Sequence, residues 1–276
     1  MRADFSIWSG FYFELPTPED AILAFIEDGI YATELAHEHA QVLLKREGTP
    51  REIGLAFRAF LDDRGFSIPQ GHLSYTIPIC GGEENTAELL RQIELFSGIG
   101  ITEAVLHCDA LADSELSLDE KLERNVEALR PLAEAAEKYG ICLCLENLRG
   151  HTPYTSADIL IRIIEMLGSP AVGICLDTGH LNLSRASSQR EFILCAGKYL
   201  RALHIADNDG SGDQHLMPFG VGKVNFSEVV TALREINYEG LFNYEIPGER
   251  SRCPLALRHA KAALAKAGYE YLMAQR

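Results

Sequence analysis

Eight short apolar runs alternate along the chain with segments of helical periodicity, and this alternation constrains the fold more than any other feature. The runs lie near residues 4–8, 30–35, 66–73, 102–108, 141–146, 172–177, 200–206 and 240–245. The segments between and after them cover 18–28, 50–64, 83–97, 117–139, 155–167, 187–197, 225–236 and 253–269. Strand, helix and strand in strict order imply parallel pairing with right-handed crossovers. The clearest helix opens on Ser117, Leu118, Asp119 and Glu120, a capping-box pattern. Its apolar residues Leu118, Leu122, Val126, Leu129, Leu132 and Ala136 keep three- and four-residue spacing, and Gly140 follows where a left-handed cap belongs. Eight such units close into a (β/α)₈ TIM barrel of the α/β class, and 276 residues suit a single domain of that type spanning 1–276. An open doubly wound sheet is the rival, but its usual Gly-rich first turn is missing after the first run.

Hydrophobic residues make up 47% of the chain, enough for a sizeable core. No apolar run approaches the ~18 residues of a membrane helix. Met1 to Trp8 reads as an opening strand rather than a signal peptide, so a cytoplasmic protein is expected. The net charge of −15 and the lack of clustered Lys and Arg argue against nucleic acid as a partner. The seven cysteines, 80, 108, 142, 144, 175, 195 and 253, are odd in number and form no C-x-x-C pair. They read as reduced, buried thiols. A soft-metal pair of Cys142 and Cys144, two apart on one strand, is the alternative.

Four apolar runs each end in a residue able to bind a metal. Cys142 to Leu145 leads to Glu146, Val172 to Leu176 to Asp177, Leu200 to Leu203 to His204, and Gly240 to Tyr244 to Glu245. The active site of a (β/α)₈ barrel lies at these C-terminal strand ends. Three carboxylates and an imidazole suit one divalent ion, Mn²⁺ first, with Mg²⁺, Co²⁺ or Zn²⁺ as alternatives. Four protein ligands leave room for two substrate oxygens, as in chelation of an α-hydroxy ketone. The ion would polarise the carbonyl, and two carboxylates could move the adjacent proton.

The other strand ends add His72, His107, His180, Asp213 and His215 as candidates for further metal or substrate binding. Glu34 and Arg250 are candidate substrate contacts, and Arg250 with Arg252 could meet a phosphate after the last strand. Each residue alone has a plainer reading. A strand-end acid usually caps a helix, a buried histidine is often a satisfied core residue, and His37 and His39 read as solvated loop. Their joint occurrence on one predicted face favours chemistry.

The motifs Leu145-Glu-Asn147, Leu176-Asp-Thr-Gly-His180, Leu203-His-Ile-Ala-Asp-Asn208, Asp213-Gln-His215 and Asn243-Tyr-Glu245 resemble the xylose isomerase-like barrel superfamily. That group holds sugar-phosphate isomerases and epimerases together with endonuclease IV of AP endonuclease family 2. Resemblance to its ketose 3-epimerases implies one Mn²⁺ or Co²⁺ held by Glu146, Asp177, His204 and Glu245. It also implies proton exchange by Glu146 and Glu245 and a substrate contact from His180. Gly210 stands where those epimerases carry an arginine. Resemblance to endonuclease IV implies a three-zinc cluster that also uses His72, His107, Asp213 and His215. The Asp-x-His loop with Phe219-Gly-Val-Gly222 is kept by many sugar-acting relatives.

The expected activity is therefore a metal-dependent isomerisation or epimerisation of a small sugar, keto-sugar or sugar phosphate. A dehydratase on a keto-inositol or a lyase on a 3-keto sugar shares the first step, and zinc-dependent cleavage of abasic DNA is the rival of another class. The expected partner is a small carbohydrate, with no nucleic acid and no membrane. A homo-oligomer remains open.

Overall fold

A computed structural model describes residues 2–112, 114–150, 152–248 and 254–275. The strands are β1 (Arg2–Ile7), β2 (Ala32–Leu35), β3 (Ser67–His72), β4 (Glu103–Leu106), β5 (Cys142–Glu146), β6 (Val172–Asp177), β7 (Leu200–His204) and β8 (Glu239–Tyr244). Pairing is parallel throughout: β2 to β7 run in sequence order, and β1 pairs with β8. Beyond β7, the Ile205 amide donates to the Asn243 carbonyl at 2.7 Å and the Glu245 amide to the Ile205 carbonyl at 3.1 Å, which joins the two sheets. At the β1–β2 seam the Thr33 hydroxyl donates to the Ile7 carbonyl. The result is a (β/α)₈ arrangement of the α/β class, with a curled parallel sheet.

The helices are α1 (Pro18–Glu27), α2 (His37–Leu43), α3 (Pro50–Asp62), α4 (Glu83–Ile99), α5 (Leu118–Tyr139), α6 (Ala157–Leu167), α7 (Thr178–Ser184), α8 (Gln189–Ala196), α9 (Phe226–Glu235) and α10 (Leu255–Ala274). The capping box expected at the start of α5 is present. Ser117 Oγ accepts from the Glu120 amide at 3.3 Å, and the Glu120 carboxylate accepts from the Ser117 amide at 2.8 Å. Gly140 ends the helix in the left-handed region, at φ 70°. Among the described residues no helix is long and apolar enough to cross a membrane.

Three local expectations are corrected. His37 and His39 belong to α2 rather than a solvated loop, and both are buried. The Ser9 hydroxyl meets His39 Nδ1 at 2.8 Å and accepts from the Ala36 amide, so a turn of helix is anchored where polarity suggested solvent. Asp177 ends β6 and caps α7, in keeping with the plainer reading of a strand-end acid, and its Oδ1 accepts from the His180 amide at 2.6 Å. Helix α10 continues past residue 269 to Ala274. Gly268 lies within it, against Phe219, whose Cε2 would be 2.6 Å from a β-carbon there. Of the thiols, Cys108, Cys142, Cys144 and Cys175 are buried and free as expected, but Cys195 is exposed and Cys80 half-buried. Cys253 lies outside the described residues.

Candidate metal and substrate site

Parallel register sets the ligands in one layer. Asp177 and His204 are direct partners across β6 and β7. Glu146 closes β5 beside Cys175, and Glu245 follows β8. One ligand atom from each of Glu146, Asp177, His204 and Glu245 lies within 4.8 Å of the others. His204 Nδ1 is 3.4 Å from Glu146 Oε2 and 3.3 Å from Glu245 Oε2. Glu146, Asp177 and His204 are almost completely buried.

Two atoms of this quartet are orphaned. His204 Nδ1 and Asp177 Oδ2 are buried and make no hydrogen bond. Such groups are costly to bury unless something pairs with them. Both point into the same carboxylate-rich volume, so the residues fit a divalent cation. A hard or borderline ion suits three carboxylates and one imidazole.

The remaining candidates gather around the quartet. His107 Nε2 is 2.9 Å and His72 Nε2 3.3 Å from Glu146 Oε2, and His180 Nδ1 is 3.1 Å from Glu146 Oε1. On the other side His215 Nε2 lies 3.2 Å and His180 Nε2 3.6 Å from Asp213 Oδ2. His180, Asp213 and His215 form a second group with metal-ligand spacing. Three histidines each offer Nδ1–H to a backbone carbonyl: His72 to Leu73 at 2.6 Å, His180 to Asn147 at 3.0 Å and His215 to Glu245 at 2.8 Å. In a neutral ring, that partner places the proton on Nδ1; His180, whose Nδ1 also lies 3.1 Å from Glu146 Oε1, is held protonated by the acids around it.

Asp213 and His215 reach the site because their loop is pinned at its base. The amides and carbonyls of Asp207 and Leu216 exchange hydrogen bonds at 2.9 and 2.8 Å. Asp207 Oδ1 accepts from the amides of Asn208 at 2.8 Å and Val224 at 2.9 Å. Gly222 packs on this carboxylate so closely that a β-carbon would lie 2.0 Å from its Cγ. The Gly-rich segment therefore has a structural reason in this chain.

Charge differs sharply between the two flanking glutamates. Burial works to raise the Glu146 carboxyl, but the imidazoles of His204, His107 and His180 outweigh it and hold the group well below the usual carboxylate range. Burial pushes Glu245 up to about 7, helped by the charges of Glu146 and Asp177 and opposed by His204 and His215. Burial disfavours protonated His180, yet Asp177 and Glu146 bring it up to about 9.

A cavity of about 640 Å³ opens over this layer. Its walls include residues that sequence reasoning missed, namely Trp8, Tyr75, Arg149 and Gln214. Arg149 pairs with Asp213. Trp8, Tyr75 and Arg149 follow a strand within three residues, a position many residues share, and Gln214 is the middle residue of the Asp-x-His loop. Glu34, expected as a substrate contact, lies below the cavity and is fully buried. Arg250 and Arg252 lie outside the described residues.

The fold and this layer define a parallel barrel that collects carboxylates and imidazoles at the C-terminal ends of its strands. Residues 24–275 match the family described as the xylose isomerase-like TIM barrel, and the chain belongs to it. The chain is 33% identical over 119 residues to a D-psicose 3-epimerase of Enterocloster bolteae, covering 42% of this chain and 37% of that protein. It is 32% identical over 128 residues to fructoselysine 3-epimerase of Escherichia coli O157:H7, covering 45% of each. A match to an uncharacterized protein of Methanocaldococcus jannaschii, 36% identical over 134 residues, covers 46% of this chain and 44% of that one. These matches span about half or less of the relatives' own lengths. The crystal structure of a D-psicose 3-epimerase with D-fructose superposes with a TM-score of 0.78 at 19% identity, covering 99% of this chain and 100% of that one. A 3-keto-D-glucoside 4-epimerase from E. coli superposes with a TM-score of 0.75 at 20% identity, covering 97% and 99%. At such identities the superpositions establish the fold.

Proposed function

We propose that this chain is a divalent-metal-dependent isomerase or epimerase of a small sugar, keto-sugar or sugar phosphate, with Mn²⁺ as the working ion. The carrying observation is the quartet Glu146, Asp177, His204 and Glu245, whose two orphaned atoms face one another's acids beneath an open cavity. The 3-epimerases among its relatives, named for psicose and fructoselysine, support a carbohydrate substrate. A divalent ion held there would polarise a substrate carbonyl and acidify the neighbouring C–H.

The chain's own residues supply the proton chemistry. Glu245, raised to about 7, exchanges a proton near neutral pH. Glu146, ionised at rest, takes the C–H proton on one face, a protonated Glu245 returns one on the other, and exchange with solvent resets both groups. Epimerisation needs one carboxyl group to take the C–H proton and another to return a proton to the opposite face, so the charge balances over a cycle. His180 stands at the cavity wall as a hydrogen-bonding contact for a sugar hydroxyl. A keto-inositol dehydratase or 3-keto-sugar lyase would use the same first step and differ in expelling a leaving group.

The extra ligands favour a second reading. His72 and His107 on Glu146, with the group His180, Asp213 and His215, exceed what one ion requires. That surplus would suit a zinc cluster cleaving phosphodiesters of abasic DNA, whereas the −15 charge opposes a DNA partner. Metal analysis of protein purified without added metal separates the two. One equivalent of manganese or a similar ion, with ketose epimerisation, supports the first reading. About three equivalents of zinc with nicking of abasic duplex would replace it.

A further inference from the structure

Most of the interior of a barrel of this class is packed with branched apolar side chains. Here one layer is polar. Glu34 on β2 is fully buried, and its Oε2 receives three donors: Gln70 Nε2 from β3, His204 Nε2 from β7 at 2.8 Å and Asn243 Nδ2 from β8 at 3.2 Å. Asn243 Oδ1 in turn accepts from Ser6 Oγ on β1 at 2.8 Å. Four strands thus meet on one carboxylate, and β1 joins them through Asn243. Apolar residues of similar volume would stabilise a barrel at least as well as a buried charge, so stability alone does not account for the layer.

The geometry at His204 does. Glu34 engages Nε2, which fixes the proton on that nitrogen and turns Nδ1, the orphaned atom, toward Glu146 and Glu245. The other three carbonyl-bound histidines of the site present the opposite nitrogen, because their Nδ1 is taken. His204 is the one held by a carboxylate from below. A carboxylate on the distal N–H of a ligating histidine orients the ring and raises its basicity.

We propose that Glu34 is a positioning residue. The buried chain Ser6–Asn243–Glu34, braced by Gln70, holds His204 by Nε2–H, presents Nδ1 to the acids, and thereby sets affinity for a divalent ion. This rests on the metal quartet described above. Glu34 does not touch substrate; it acts through His204.

The test uses the full chain, freed of metal by dialysis against a chelator and titrated with Mn²⁺ by calorimetry. Glu34→Gln keeps shape and loses charge. Its affinity for Mn²⁺ should fall about 10–100-fold, while the metal-free protein keeps cooperative unfolding. An affinity within twofold of wild type, with only the metal-free melting temperature changed, would reduce Glu34 to a structural brace and overturn the proposal. If Glu34→Gln does not fold, Ser6→Ala at the far end of the chain replaces it. That variant should weaken Mn²⁺ binding about threefold, the scale of one neutral hydrogen bond, and unchanged binding would count against the proposal. Histidine ¹⁵N shifts of Zn²⁺-loaded wild type should show His204 coordinated through Nδ1, and Nε2 coordination would overturn it. Asp177→Asn is the control for the quartet. If wild type binds no ion, or Asp177→Asn binds as tightly, the quartet reading fails and this one with it. If Asp177→Asn loses the ion and Glu34→Gln does not, only the role of Glu34 is refuted.

Discussion

The two ends of the barrel bury polar groups in opposite ways. Below the ligand residues, toward the N-terminal end, the interior of β4 to β7 is filled by Val105, Cys142, Cys144, Cys175 and Ala202. Its rim charges are settled between themselves, with Arg201 Nη2 2.9 Å from Glu103 Oε1. At the C-terminal end Glu146, Asp177 and His204 are as deeply buried as any core residue, yet His204 Nδ1 and Asp177 Oδ2 have no partner. The rim pair is satisfied, whereas the two atoms of the quartet are left aimed at a shared volume. The difference separates packing from preparation for a ligand, which burial alone would not do.

The largest expected effect is on proton transfer. Glu245→Gln should lower turnover of a ketose substrate by about 10²–10⁴-fold, the usual worth of a positioned acid–base group. It should also abolish uptake of solvent deuterium beside the carbonyl. Metal occupancy has to be measured on the same sample, because Glu245 is also a proposed ligand. Full deuterium exchange in a metal-loaded variant would place the proton chemistry elsewhere and remove the functional contrast between the two ends. Wild-type turnover without deuterium uptake would call for substrate labelled at the migrating hydrogen, since a hydride shift carries that label to the neighbouring carbon.

Removal of metal comes next. An ion at about 100 times its Kd stabilises the folded state by about 2.7 kcal/mol, so chelation should lower the melting temperature by about 5–10 °C. Restoring Mn²⁺ should reverse the shift in wild type and not in Asp177→Asn. A melting temperature indifferent to chelator would mean that the orphaned atoms are satisfied without a cation.

The same contrast explains what could be read from the sequence. The eight strands were legible because each is a bounded apolar run, and Glu146, Asp177, His204 and Glu245 stood out as polar residues ending four of them. Helices α2 and α7 were not, since each is only 7 residues long and lacks room for a repeating apolar stripe. Trp8, Tyr75 and Arg149 join the cavity through loop paths that no local pattern encodes. Glu34, Gln70 and Asn243 were visible as polar residues in apolar strands. Their meeting at His204 depends on which strand faces lie level inside a closed barrel, and that follows from register rather than spacing.

The smallest effect is expected at the satisfied end. Arg201 and Glu103 form a rim pair whose side chains are 49% and 17% exposed. Pairs this accessible to solvent contribute about 0–1 kcal/mol, because water screens the attraction and ordering two side chains costs entropy. Arg201→Met keeps most of the apolar stem that lies over Gly173. It should change stability by less than about 1 kcal/mol and leave Mn²⁺ affinity within twofold of wild type, as measured by denaturant unfolding and calorimetry. His204 lies three residues further along the same strand, so a change that spread through β7 would disturb the site. A large loss of metal affinity in Arg201→Met would therefore show that the two ends are mechanically coupled and that the N-terminal layer also serves the ligand. Independent behaviour would leave the polar layer around Glu34 as the deepest part of the barrel committed to the site.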